Sequence, residues 1–337
     1  MVSSQRVRPG VRWVAAGAAL ALMAGCAGDP GERREPAPPT VGAPSPPGSP
    51  TTSPSPSATV RAPAPTPPVD PADVRVDIAA ATVRHLAGRI GPRPGTSPAF
   101  LRAVDWVERR FDALGWDVRR QQFRVPAGVS WGVPVPAGRS VNVVATRGAL
   151  RPGRPWLLVG AHLDTVPQAP GAEDNASGVG VLLAAAEALA DTRSRLPVVL
   201  VAFGAEEPRG PSDDDHHYGS RAFVDRLTPA QRRSLRGMVA LDRVGVGPVV
   251  PVSSADAPDR MRAELLAAAR RAGVPTQALT DDRASDHWSF VRDGLPGARL
   301  GSTPYAGYHS PGDVPSVVGR HQLRRTARTV VAWLAPR

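Results

Sequence analysis

Apolar residues in this chain recur in two patterns between residues 72 and 337. The first is a short, nearly continuous apolar run, which is typical of strands buried on both faces of a parallel sheet. Segments 115–125 and 140–146 predict two further strands, outside the buried runs. The four buried runs cover residues 156–161, 197–203, 238–241 and 298–300.

In the second pattern, apolar residues lie three and four positions apart, which predicts amphipathic helices. Strands and helices alternate along the chain, and this alternation favours a doubly wound sheet. We therefore predict an α/β fold, a mostly parallel mixed sheet flanked by helices on both faces, in one domain over residues 72–337. The predicted helices cover residues 74–90, 97–114, 177–190, 220–227, 259–272 and 319–334.

Residues 1–26 predict the signal peptide of a lipoprotein. Three arginines precede an apolar stretch, residues 13–23, that is too short to span a bilayer. The segment ends in Leu-Met-Ala-Gly-Cys26, which resembles a bacterial lipobox. Lipidation of Cys26 would place the protein outside the cytoplasm as a lipid-anchored protein of the cell membrane, whereas an ordinary signal peptide would make it secreted.

Residues 27–71 are rich in Pro, Ser, Thr and Ala and contain almost no large apolar side chains. Such a segment cannot bury enough surface to offset the entropy of ordering it. We therefore predict a disordered, partly polyproline tether, with a reach on the order of 100 Å at about 3.1 Å per residue.

Composition narrows the possible partners. The formal net charge is +11, and every basic residue other than histidine is arginine. These arginines are spread over the predicted helices without interleaved aromatic residues, so nucleic acid is not an expected partner. We expect membrane contact through the N-terminal lipid only, and the sequence does not indicate an oligomeric state. The single cysteine excludes an intrachain disulfide and a zinc site built from thiolates.

Metal-binding residue types follow each of the buried runs. Because the carboxyl ends of strands meet at one crevice in an open α/β sheet, we expect these side chains to converge. Two imidazoles and several carboxylates in one crevice are costly unless a cation lies among them. The residues are His162, Asp164, Asp174, Glu206, Glu207, Asp242 and His309.

Two adjacent zinc ions without thiolate ligands would need nitrogen and oxygen donors and a bridging carboxylate. Asp174, in a loop of small residues, is the expected bridge. His162 and Asp242 would complete the ligands of one ion, and Glu207 and His309 those of the other.

Two more carboxylates receive different roles. Successive extended residues point in opposite directions, so Glu206 is free to face the water between the ions if Glu207 turns to a metal. Glu206 would then act as general base. Asp164 lies on the same side of the chain as His162 and could accept the second imidazole N–H. Singly, each residue has a structural alternative: a hydrogen-bonded histidine, a capping aspartate or a solvated glutamate pair. Their occurrence together at successive strand ends favours the metal site.

These motifs resemble those of the co-catalytic di-zinc aminopeptidases, the metallopeptidase family of the aminopeptidase Y and bacterial secreted aminopeptidase type. The resemblance covers residues 74–337 and implies a zinc-exopeptidase, phosphorylase/hydrolase-like catalytic domain with two Zn²⁺ and a peptide substrate. It implies the metal and base assignments above, and it matches Tyr308 to a position that helps to stabilise the oxyanion in some members. The motifs are His162-x-Asp164, Asp174-Asn-Ala-Ser-Gly178, Glu206-Glu207, Leu241-Asp242 and Tyr308-His309.

The chain departs from the family pattern in two places. Residues 208–218 replace a short turn, and within them 213–217 is expected to be a mobile, solvated rim loop. Arg243 replaces a more usual methionine and places a cation near the site, which affects the expected substrate preference. Asp286 and His287, in a Ser-Asp-His sequence, are expected near the substrate but not on a metal.

The predicted function is that of a lipid-anchored extracytoplasmic zinc exopeptidase, an aminopeptidase in which a water between the two ions attacks the peptide carbonyl. A glutaminyl-cyclase-like acyltransferase on the same framework is the main alternative. A receptor-like binding domain that keeps the fold without the metals is a third possibility.

Overall fold

The computed structural model describes residues 65–257 and 259–336. The predicted signal peptide, Cys26 and the tether up to residue 64 lie outside the described residues. The last part of the predicted tether, in contrast, packs against the domain: Val69 is buried, and its amide donates to the carbonyl of Arg193 over 3.1 Å. Residues that pack on the domain thus include some that precede the predicted boundary at residue 72.

A mixed sheet of eight strands forms the centre of the domain, and two shorter strands form a separate hairpin. The strands in chain order are β1 (Asp117–Val125), β2 (Gly128–Ser130), β3 (Val133–Val135), β4 (Gly138–Thr146), β5 (Trp156–His162), β6 (Val198–Phe203), β7 (Leu235–Leu241), β8 (Val250–Ser253), β9 (Thr276–Leu279) and β10 (Gly297–Leu300).

The strand order in the sheet is β1-β4-β6-β5-β7-β10-β8-β9. The four central strands, β6, β5, β7 and β10, run parallel to one another, as do β8 and β9. The pairs β1–β4, β4–β6 and β10–β8 are antiparallel. The sheet is therefore mostly parallel and mixed, as predicted.

Helices cover both faces of this sheet, and two apolar clusters show it. Leu157 and Val159 of β5 pack in one cluster with residues of α1, α2, α3, α6 and α8. Leu158 packs in the other cluster with Phe223 of α4 and Phe290 of α7. The predicted fold class is confirmed. The helices are α1 (Val76–His85), α2 (Pro98–Ala113), α3 (Gly178–Ala188), α4 (Tyr218–Asp225), α5 (Pro229–Ser234), α6 (Arg260–Arg271), α7 (His287–Val291) and α8 (Arg320–Leu334).

Local sequence signals explain where several helices begin. Ser97 accepts a hydrogen bond from the amide of Phe100, and Pro98 occupies the first helical position of α2. Thr228 and Gln231 form a reciprocal capping box at the start of α5. Within the described residues, no helix combines the length and the apolar character needed to cross a membrane.

Candidate metal centre

The four central parallel strands bring their carboxyl ends to one edge of the sheet. His162 is the last residue of β5, and Asp242 follows β7 directly. Glu206 and Glu207 follow β6 after a short turn, and His309 lies in the loop after β10. Because these strands are neighbours, their following residues meet in one crevice, where ligands bind in open α/β sheets.

Asp174 lies between the two imidazoles. Its Oδ1 is 3.1 Å from Nε2 of His162, and its Oδ2 is 3.1 Å from Nε2 of His309. Each carboxylate oxygen thus faces a different histidine, which is the arrangement that lets one carboxylate serve two adjacent cations.

A second carboxylate accompanies each histidine. Asp242 Oδ1 lies 3.5 Å from Nε2 of His162, and Glu207 Oε2 lies 3.6 Å from Nε2 of His309. The structure therefore brings the five predicted ligands together in two overlapping sets that share Asp174.

The donor set fits divalent cations on several grounds. His162, Asp174 and Glu207 offer ligand atoms that all lie within 4.8 Å of one another, as do His162, Glu206 and Asp242. Oε1 of Glu207 and Oδ1 of Asp242 are buried without a hydrogen-bond partner among the described residues. Such orphaned acceptors are costly, and a cation would satisfy them.

Charge in the crevice points to the same conclusion. Burial alone would lower the pKa of His162, yet its pKa is raised well above the usual value because Glu206, Asp164, Asp174 and Asp242 surround it. Burial opposes ionisation of Asp174 too, but hydrogen bonds from the two histidines hold its pKa well below the usual value. The carboxylates thus require positive charge here, which metal ions would provide.

Glu206 is placed differently from the five ligands. Its Oε1 lies 3.1 Å from Nε2 of His217, while its Oε2 faces His162 Nε2 at 3.9 Å. Burial, together with Asp242 and Asp164, raises the pKa of Glu206 to about 7 even though His162 opposes the shift. A carboxylate with a pKa near neutrality is suited to exchange protons.

His217 was not among the predicted site residues. The prediction of a mobile, solvated loop over residues 213–217 is wrong at this position, since His217 is only 4% exposed and contacts Glu206. Asp213 and Asp214 are exposed, so solvation holds for the first part of the loop. A histidine directly before α4 was the signal available in the sequence.

Asp164 acts through the backbone more than through the imidazole. Its Oδ1 accepts a hydrogen bond from the amide of Glu206 over 3.0 Å, and its Oδ2 accepts one from the amide of Glu207 over 3.2 Å. His162 Nδ1 is 3.3 Å from the carbonyl oxygen of Asp164 but 3.8 Å from its carboxylate, beyond hydrogen-bond length. The predicted bond from the imidazole to this carboxylate is therefore not formed, and the carboxylate positions the glutamate pair.

Buried polar residues hold the loop that carries Asp174. Asp313 accepts hydrogen bonds from the amides of Glu173 and Asp174 over 2.8 and 3.0 Å. The fully buried guanidinium of Arg93 donates to the carbonyls of Leu163, Pro170 and Gly171 over 2.7–3.0 Å. The sequence analysis assigned no role to Asp313 or Arg93.

The start of α3 is fixed against the end of β7. Asn175, which follows Asp174 through a cis peptide bond, donates to the carbonyl of Leu241 over 2.8 Å and accepts from the amide of Gly178. A Cβ at Gly178 would lie 2.4 Å from the same Leu241 oxygen, so only glycine allows this approach. The contact holds the residue after Asp174 against the residue before Asp242.

A cavity of about 350 Å³ opens over the cluster. Trp131, in the turn between β2 and β3, is 54% exposed and packs edge-on against His309 with ring centroids 4.3 Å apart. Tyr308 stacks on His309 at 3.7 Å. Tyr308 thus lies beside the cluster, with its ring in the cavity wall. Arg243 and Arg283 line the same cavity.

Asp286 and His287 are buried and do not line the cavity. His287 is buried and its Nε2 lies 2.8 Å from the carbonyl oxygen of Asp282. Burial, with Glu206 nearby, raises the pKa of Asp286 to about 7. Neither residue is on the metal cluster, and the expectation that both lie near the substrate stays a prediction.

The fold and the cluster together define a metal-binding α/β domain of the hydrolase type. The chain belongs to peptidase family M28, whose model matches residues 142–334. The predicted family resemblance is thereby confirmed.

Two curated relatives show the extent of sequence similarity. Aminopeptidase YwaD of Bacillus subtilis is 30% identical over 187 residues, 52% of this chain and 40% of that protein. The probable lipoprotein aminopeptidase LpqL of Mycobacterium tuberculosis is 28% identical over 164 residues, 43% of this chain and 31% of that protein. The chain spans about half the length, or less, of the curated relatives it matches.

Solved structures agree with the fold. The zinc aminopeptidase BSAP from Bacillus subtilis superposes with a TM-score of 0.68 at 18% identity, covering 77% of this chain and 94% of that one. A glutaminyl cyclase from Bacteroides thetaiotaomicron superposes with a TM-score of 0.66 at 18% identity, covering 78% and 98%. At these identities the likeness shows the fold alone.

Proposed function

We propose that the protein is a zinc-dependent aminopeptidase, which hydrolyses the N-terminal peptide bond of its substrates. The observation that carries the proposal is the position of Asp174, whose two oxygens each lie 3.1 Å from a different imidazole. Membership of peptidase family M28 and the similarity to Aminopeptidase YwaD support the reaction class.

Two zinc ions would be held by the five converging residues. His162 and Asp242 would bind one ion, His309 and Glu207 the other, and Asp174 both. When bound, zinc supplies Lewis-acid polarisation of the peptide carbonyl and makes a water molecule more acidic.

Glu206 supplies proton transfer. Because His217 Nε2 lies 3.1 Å from Oε1, the other oxygen, Oε2, remains directed toward the metal ligands. Oε2 would accept the proton of the attacking water and deliver it to the amine that leaves. Trp131 and Tyr308 would form an aromatic wall against the substrate. Tyr308, whose ring stacks on His309, would contribute its hydroxyl to stabilise the developing oxyanion.

Hydrolysis of leucine p-nitroanilide, with and without chelator, tests the reaction. Glu206→Gln is expected to lower kcat by a factor on the order of 10²–10⁴ with zinc content unchanged, since it removes the proton acceptor. Glu108→Gln, which changes a surface glutamate on α2 that binds Arg120, is the matched control and should leave kcat unchanged. The N-acetylated substrate should not be cleaved by an aminopeptidase. Full activity of Glu206→Gln, or equal cleavage of the acetylated substrate, would overturn the proposal.

The likeness to a glutaminyl cyclase calls for one further measurement. A peptide with N-terminal glutamine should release free glutamine if the proposal is right. Pyroglutamyl peptide formed without hydrolysis would favour the cyclase. Purified protein that binds no zinc would instead favour a non-catalytic binding domain.

We also propose that Cys26 carries lipid that anchors the protein outside the cytoplasm. The lipobox-like segment ending at Cys26 supports this, and a relative is named a probable lipoprotein aminopeptidase. Cys26→Ser should move the protein from the membrane fraction and abolish incorporation of labelled fatty acid. Unchanged fractionation and labelling would contradict the anchor.

A further inference from the structure

Arg243 occupies a wall shared by two cavities. One is the cavity over the metal cluster, and the other is a neighbouring cavity of about 500 Å³ between Leu279 and Tyr305. The residue has a left-handed backbone conformation, with φ of 57°, and its amide donates to Asn175 Oδ1 over 3.2 Å. Its backbone is therefore fixed by the same asparagine that holds the Asp174 loop.

A second arginine, Arg299, already neutralises Asp242, the proposed metal ligand that precedes Arg243. Arg299 is 5% exposed and reaches Asp242 Oδ2 at 3.2 Å and Asp282 Oδ2 at 3.3 Å. Arg243 contacts Asp242 only through Nε, 3.7 Å from Oδ1, and its guanidinium makes no hydrogen bond within the described part of the chain. The structural need for a cation beside Asp242 is met by Arg299, so the donors of Arg243 remain available.

An aromatic ring supports the guanidinium of Arg243. Its Cζ lies 4.6 Å from the ring centroid of Tyr308, which in turn stacks on His309. A guanidinium over an aromatic face keeps its N–H edges free, in a fork that matches a carboxylate. The side chain is 24% exposed, so these donors can reach a molecule in the cavity.

Charges of both signs line the cavity, including Glu206 and the exposed Asp213, neither of which is assigned to a metal. Asp174, Glu207 and Asp242 are assigned to the metals, whose charge would offset theirs. Arg283 lines the same cavity, with its Cζ 4.7 Å from the ring centroid of Trp288. Two guanidiniums thus line the cavity.

We propose that Arg243 binds a carboxylate of the peptide substrate, so that substrates with this carboxylate are preferred. The carboxylate belongs either to the side chain of an acidic N-terminal residue or to the C-terminus of a dipeptide. The inference rests on the proposed aminopeptidase function.

Two substrate pairs, used with the zinc-loaded enzyme, distinguish these sources. The first pair is glutamate and glutamine p-nitroanilide, and the second is Leu-Gly and Leu-Gly amide. If Arg243 forms a charged hydrogen bond with the carboxylate, kcat/KM should be about 10- to 100-fold higher for the carboxylate substrate than for its amide counterpart in one of the two pairs. Arg243→Gln should reduce that ratio to about 1, and Arg243→Lys should leave an intermediate value.

Arg292→Gln is the matched control, because it removes the same charge from a residue that does not line the cavity and binds exposed Asp214. It should keep the wild-type ratio. A ratio near 1 in both pairs for the wild type, or a ratio unchanged in Arg243→Gln, would refute the role of Arg243. Zinc content and circular dichroism verify that each variant is folded.

Failure of the proposed function would be recognised separately, as no hydrolysis of any of the four substrates. Calorimetric titration with glutamate and glutamine, and with Leu-Gly and Leu-Gly amide, then decides the inference. Tighter binding of the carboxylate ligand in one pair that is lost in Arg243→Gln supports it, and equal binding within both pairs overturns it.

Discussion

At the centre of the cavity, the two oxygens of Glu206 have different neighbours. Oε1 is 3.1 Å from His217, whereas Oε2 is directed toward the metal ligands. The amide of Glu206 is held by Asp164, so both ends of the residue are fixed. A proton acceptor is effective when it is oriented before the reaction, and here two residues outside the ligand set provide that orientation.

We expect His217→Ala to reduce kcat by about 10- to 100-fold with a smaller effect on KM, because Glu206 loses its orientation but the cavity keeps its metals. His217 is thus a positioning residue. Kinetics on leucine p-nitroanilide measure the effect. His216→Ala is the control, since this neighbouring imidazole also lines the cavity but forms no ion pair with Glu206 in the described structure. Equal losses in the two variants would contradict the role of His217.

Sequence reasoning identified the ligand types but missed His217, and the reason is physical. The ligands follow strands, so their positions are set by the sheet. His217 reaches Glu206 because the loop between them folds back on itself. The amide of His217 donates to the carbonyl of Glu206, and the backbone of His217 is left-handed, with φ of 57°. Neither feature leaves a periodic signal in the sequence.

At the scale of elements, buried strands were predictable because they are continuous apolar runs. The runs at 156–161 and 197–203 match β5 and β6 to within one residue. The hairpin of β2 and β3, which carries Trp131, is short and largely exposed, so it lacks such a run. The π-helical turn after α1 was likewise merged into one predicted helix over residues 74–90.

Loops between these elements depend on buried polar residues. Arg93→Met should lower the free energy of unfolding by about 3–5 kcal/mol, since it leaves the carbonyls of Leu163, Pro170 and Gly171 without their buried donor. Urea denaturation of the zinc-depleted protein measures this loss. Arg89→Met, which changes an exposed arginine in the preceding turn, should change stability by less than about 0.5 kcal/mol. A similar loss in both variants would show that Arg93 does not hold the loop.

At the scale of the whole molecule, the candidate ligands span residues 162–309 and lie on separate loops. Their convergence needs the parallel order of β6, β5, β7 and β10, the buried bonds of Arg93 and Asp313, and the close contact at Gly178. The cluster also leaves buried acceptors unsatisfied. A ligand that binds only the folded state adds its binding free energy to stability, so zinc should stabilise the entire domain.

The count of bound ions gives the decisive measurement at this scale. We expect about two zinc ions per chain in the wild type, because the donors form two sets joined by Asp174. His309→Ala should leave about one ion, since it affects one set, whereas Asp174→Ala should leave less than one, since it affects both. Metal analysis after dialysis measures the zinc content. Thermal unfolding with and without chelator should show that zinc stabilises the wild type most, His309→Ala less and Asp174→Ala least. If His309→Ala and Asp174→Ala lose zinc equally, Asp174 does not join two sites, and the two-ion assignment is wrong.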